Sequence, residues 1–244
     1  MLSIDSKLYQ MLNWGTRFMM ANILWLGYNL PIIYIIFVSL TVRTMDELYH
    51  LVYVILFLLP FIFFPATTAL YAVVRQWVIG NREKKTISFF WMAYKENYLR
   101  SMIVGCLFTG FSVIWVINYQ LAQIEFKSGM FYVYFVITIF LFAIVNAFCA
   151  DTVHLKLKFG ASLKKSVIIG LLFPHYTIST IGVSGVGLYI LYQIHPVVFF
   201  LYCGVIPVIV GFYGYYHLYK RALKLQEKTD NNAIRESKKA LSSA

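Results

Sequence analysis

Charged side chains are scarce in this chain: only 13% of its 244 residues are Asp, Glu, Lys or Arg. That is too few to coat a water-soluble domain of this size. The three cysteines, Cys106, Cys149 and Cys203, lie in apolar runs at wide, unpatterned spacing. Such spacing excludes a disulfide framework or a zinc module, and they read as small core residues. No HExxH, Walker A or GxSxG pattern occurs. Gly182-Val183-Ser184-Gly185 comes nearest, but it sits in an apolar segment without the strand-turn-helix context of a nucleophile, so Gly182 and Gly185 read as packing glycines. Asp151 and His154 stand three apart, and two ligands are too few for a metal site. The sequence therefore predicts no catalytic residue, cofactor or metal, and a non-enzymatic protein.

Apolar residues fill the space that charge leaves. They make up 60% of the chain, and the mean hydropathy is +0.71, more than one soluble core of this length could bury. The expectation is an all-α, polytopic membrane bundle, a single domain over residues 1–219 followed by a basic tail over 220–244. Apolar runs predict six spans: Phe18 to Leu40, Leu51 to Val74, Ser101 to Tyr119, Met130 to Ala150, Tyr176 to Tyr192 and Val197 to Tyr219. The first reads as an uncleaved span. Pro31 predicts a kink within it. Pro65, Ala66 and Thr67 form a small-residue stretch, and Ser101, Gly105 and Thr109 form a small-xxx-small stripe suited to intrachain packing. Asn22, Asn29, Asn118 and Asn146 are the polar residues within the spans, all uncharged, which argues against an ion-coupled pump.

Basic residues outnumber acids 21 to 10, a formal charge of +11. They cluster beside apolar runs, where they meet anionic lipid headgroups, and the pattern does not read as a nucleic-acid surface. All but Arg43 and Lys127 fall at the N-terminus, after span two, after span four or at the C-terminus. The positive-inside rule then puts both termini in the cytoplasm of a cell membrane. The stretch Pro65 to Ser101 reads as the principal basic loop, with Arg75, Arg82, Lys84, Lys85, Lys95 and Arg100. Within it Thr86 and Ser88 precede a short helix, Ile87 to Tyr98, whose Ile87, Phe90, Trp91, Tyr94 and Tyr98 share one face. Leu163 to Phe173, capped by Ser162, reads as a second short cytoplasmic helix. Each suits either an interfacial seal or a partner's groove.

Along the central stretch the sequence resembles the YesL-like family, membrane proteins carrying a domain of unknown function. The resemblance rests on Asn22, Trp25 and Leu30-Pro31, on Pro65-Ala66-Thr67 with Ala69-Leu70-Tyr71, on Arg75, Trp77 and Gly80, and on Phe89-Phe90, Lys95, Asn97 and Ser101. Phe64 departs from the glycine expected before Pro65. The resemblance covers about the first hundred residues. It implies an association with ABC-type oligosaccharide uptake systems of Gram-positive bacteria.

The expected function is thus a non-enzymatic accessory membrane protein that contacts an ABC permease or ATPase subunit through Arg75, Trp77, Trp91, Tyr94, Lys95 and Asn97. Arg75 and Lys95 equally suit lipid headgroup anchors. Two alternatives stay open: a small solute transporter or facilitator, and a membrane regulator of a sensor kinase.

Overall fold

Residues 2–80, 85–126, 131–155 and 157–242 are described by a computed structural model, and they are helical almost throughout. Arg82, Glu83 and Lys84 of the expected basic loop, together with Lys127 and Lys156, lie outside the described residues. The helices are α1 (Leu2–Tyr28), α2 (Leu30–Ser39), α3 (Met45–Leu58), α4 (Phe64–Ile79), α5 (Thr86–Phe126), α6 (Phe131–Leu155), α7 (Phe159–Leu172), α8 (Pro174–Ile194), α9 (Pro196–Tyr202) and α10 (Val205–Ser242). Among the described residues four stretches are long and apolar enough to cross a membrane, Met45–Ile79, Thr86–Ala122, Tyr132–Leu155 and Pro174–Ile194. The number rises to six if each of two bent helix pairs is one span.

Helix α4 is the axis of the bundle. Its Ala69 to Val74 run is apolar on every side, and a helix of that kind is buried on every side. Leu70, Tyr71, Val73 and Val74 are all at most 1% exposed, and Phe212 and Tyr215 of α10 join them in one core. The outside is apolar too: Phe57, Ile114, Ile178 and Val186 are each more than 60% exposed. That is the pattern of a bundle whose solvent is lipid.

The breaks in the helices have local causes. A single π turn, Leu59–Phe63, joins α3 to α4 and takes up Pro60, which has no N–H to donate and whose ring crowds the preceding turn. Helix α4 ends at Gly80, whose φ of 89° is open to glycine and whose N–H donates to the Gln76 carbonyl at 3.1 Å. At Asn29 the chain bends by 73°, and Pro31 follows in the first turn of α2. Between α9 and α10 it bends by 44°.

Several expectations are corrected here. Residues 65 to 79 are a core helix, so the expected loop shrinks to the connection between Ile79 and Thr86. The short helix at Ile87 to Tyr98 is not separate: α5 runs unbroken for 41 residues with no Pro to interrupt it, and Ser101, Ser112 and Asn118 bond back to carbonyls of their own helix. Ser162 does not cap α7, which begins at Phe159; its hydroxyl instead donates to the buried Asp151 carboxylate. Helix α10 itself continues through the basic tail to Ser242.

Candidate functional site

The six residues singled out for partner contact fall into three places. Trp77 is core: it is 9% exposed and packs edge-on to Trp14 at 6.1 Å and against Phe18 at 5.0 Å. Its ring can meet a partner only if the contact between α1 and α4 opens.

Trp91, Tyr94 and Lys95 form a second group on α5. The Trp91 and Tyr94 rings are parallel within 1° at 6.1 Å, and Lys95 Nζ lies 4.5 Å from the Trp91 ring centre. Tyr28 of α1 backs the group, 4.5 Å from Tyr94 and 6.1 Å from Trp91. Trp91 remains 49% exposed. The predicted aromatic face divides in two, since Phe90 and Ala93 turn into the core while Ile87 stays 52% exposed. Stacking and the cation–π contact hold this exposed indole in one orientation.

Arg75 and Asn97 belong to a third place, a hollow of about 270 Å³ between α4 and α5. Ala72, Arg75, Gln76 and Ile79 line it from α4, and Phe89, Met92, Ala93, Glu96 and Asn97 line it from α5. Spacings of three and four put each set on one helix face. Thr152 and Val153 of α6 complete the lining.

An ionic network that the sequence reading missed lies further along α6. Asp151 is 0% exposed. It accepts hydrogen bonds from Ser162, from Tyr215 Oη at 2.6 Å and from Lys165 Nζ at 2.8 Å. Arg100, also in α5, donates to the Leu157 carbonyl at 2.6 Å. The available signal was a lone acid ending an apolar run with lysines just downstream: an acid that enters a low-dielectric core requires a partner.

The interior holds an apolar cavity of about 530 Å³ among α1, α4, α5, α6, α8, α10 and the π turn. Thr67, Tyr71, Asn146, Thr180 and Ser184 supply its polar wall. Thr67 accepts from Trp25 Nε1 at 3.1 Å, Tyr71 donates to Asn146, and the Ser184 hydroxyl is buried without a partner. Asn22 lies nearby, accepting from Gly204 N–H and Val205 N–H and donating to Phe200 O.

The residues marked for helix packing also divide. Pro65 and Ala66 are buried, and Thr67 is held by Trp25. A Cβ on Gly105 would lie 2.7 Å from Pro60 Cα, so the close backbone approach occurs there, beside the buried Phe64. Gly182 and Gly185 are both exposed, and a Cβ on either would meet nothing within 4 Å. Besides Gly105, the tight glycines include Gly170 against Ile144, Gly204 against Trp25, Gly211 against Tyr71 and Gly214 against Tyr176. Among the described residues no group of three or more His, Cys, Asp or Glu could hold a metal ion.

Residues 18–119 match the family model described as "Protein of unknown function, DUF624", over the stretch that carries the resemblance read from the sequence. The chain is 27% identical over 234 residues to the uncharacterized protein YteU of Bacillus subtilis (strain 168), covering 91% of this chain and 90% of that protein. It is 24% identical over 158 residues to the uncharacterized protein YesV of the same organism, covering 62% of this chain and 68% of that protein. No solved structure matches.

Proposed function

We propose that this protein is a non-enzymatic accessory subunit of the YesL-like kind, resident in the cell membrane with both termini in the cytoplasm, that docks a subunit of a carbohydrate ABC uptake system. One observation carries the reading: a half-exposed Trp91, stacked on Tyr94, held beneath Lys95 and backed by Tyr28. A tryptophan already fixed in place loses little conformational freedom on binding, and Trp and Tyr are over-represented among residues that dominate interface energetics. Lys95 adds a positive rim, so the matching surface is an apolar groove with acidic edges.

The test is recovery of bound proteins from native membranes in mild detergent. A permease or ATPase subunit should copurify, and Trp91→Ala with Tyr94→Ala should remove it while leaving membrane insertion intact. Recovery of a sensor kinase instead would move the reading to a membrane regulator. Recovery of no permease, sugar-binding protein or kinase would overturn it.

The cavity beside Asn146 favours a second reading, a facilitator for a small solute. Proteoliposomes that pass none of a panel of oligosaccharides would remove that reading.

A further inference from the structure

We infer that the hollow between α4 and α5 is a binding site for a singly charged phosphodiester group, with Arg75 as its principal contact. The hollow is built from two helix faces and closed by α6, so its lining is set by the core rather than by a loop. Arg75 enters it from α4, and its Nε is buried without a hydrogen-bond partner among the described residues. Thr152 lines the same space from α6; it is 1% exposed, and its hydroxyl also lacks a partner. A buried guanidinium N–H and a buried hydroxyl left unpaired are each costly, and an anionic group in the hollow can accept from such donors. The Asn97 amide nitrogen, fixed at 2.9 Å from the Ala93 carbonyl, keeps a second hydrogen that can be donated. Gln76 adds a neutral amide to the lining.

The charge balance narrows the ligand. One guanidinium, neutral donors and the carboxylate of Glu96 line the space. A phosphodiester carries one negative charge, which the single guanidinium lining the hollow matches. The hollow holds about 270 Å³, below the roughly 300–1,000 Å³ of pockets for drug-sized molecules. A head group fits that space, and Ile79, Phe89 and Met92 supply an apolar flank. A glycerophospholipid and a soluble glycerophosphodiester share this chemistry. The site is independent of the Trp91 surface, because Trp91, Tyr94 and Lys95 are absent from its lining.

Two probes separate the sources. The purified full chain is placed in nanodiscs of phosphatidylcholine doped with phosphatidylglycerol, and the lipid retained on release is counted by native mass spectrometry. In parallel, glycerophosphoglycerol is titrated calorimetrically into the protein in a phosphate-free detergent. Binding in the first arm alone assigns the site to a lipid, and binding in the second arm assigns it to a soluble ester. Arg75→Gln should weaken the binding seen by about tenfold, the loss of one charge-assisted contact. Asn97→Asp, which brings a second carboxylate, should abolish it, and Thr152→Val, of nearly the same shape, should weaken it measurably should Arg75→Gln fail to fold. Lys224→Gln, on the exposed part of α10, should bind as the unaltered chain does. No binding in either arm, or equal binding by the Thr152→Val and Asn97→Asp proteins, would overturn the assignment.

Discussion

The side-chain oxygen of Asn22 accepts the backbone N–H of Gly204 at 2.8 Å, and that of Val205 at 3.1 Å. Its amide nitrogen donates to the Phe200 carbonyl at 2.8 Å. One asparagine from α1 therefore replaces the hydrogen bonds that the chain gives up where α9 bends into α10. In a hydrocarbon setting no water is at hand to do so.

Asn22→Leu should leave two N–H groups unpaired at this bend, while the Phe200 carbonyl keeps the weak Cys203 thiol donor. At about 1–3 kcal/mol for each buried unsatisfied group, the loss should be at least about 2 kcal/mol. Equilibrium unfolding by sodium dodecyl sulfate in mixed micelles measures it, and an unchanged midpoint would remove Asn22 from this role.

Two glycine substitutions should behave in opposite ways. A Cβ on Gly204 would fall 2.6 Å from Trp25 Cε3, so Gly204→Ala should destabilise by about 1–3 kcal/mol through overpacking. Gly182→Ala meets open space and should be neutral, or stabilising by up to about 1 kcal/mol through helix propensity. The same unfolding assay compares them.

Removing Lys165 should cost more than removing its pair. Lys165→Met leaves the fully buried Asp151, among the described residues, with the Ser162 and Tyr215 donors, and should destabilise by about 3 kcal/mol, the lower end for breaking a buried pair because Lys165 keeps 30% exposure. Adding Asp151→Asn to Lys165→Met should recover part of that loss, and a double-mutant cycle reads the coupling.

Trp91→Ala should change stability by no more than about 1 kcal/mol, since the ring is half exposed and gives up little beyond two ring contacts and a cation–π contact. Trp77→Ala should cost about 3 kcal/mol or more as a core truncation. Thermal unfolding in detergent separates the two. If Trp91→Ala proved as damaging as Trp77→Ala, its loss of a partner could not be read as an interface effect.

The hydrophobic runs made the helices legible, and Pro31 marked the first bend, because chain composition acts locally. Span ends were less legible. Polar residues at 75, 76, 96 and 97 read as a loop, yet they lie on the facing sides of α4 and α5 and surround one hollow. That distinction depends on which helices pack together, which no local pattern reveals. Glycine content is ambiguous for the same reason: Gly182 and Gly185 sit in a small-residue stretch yet have open space where a Cβ would lie, while Gly204 stands by itself and is crowded. The burial of Asp151 was not legible, because its partners Lys165 and Tyr215 come from two other helices.

Helix α5 has a mechanical side. Its 41 residues make a rod of about 60 Å, roughly twice the thickness of the hydrocarbon layer. Near one end it carries the Trp91 surface, and towards the other Trp115 rests 4.3 Å from Tyr134 of α6. With no break between them, α5 joins the Trp91 surface to the contact with Tyr134, on the helix whose opposite end holds Asp151 and Thr152.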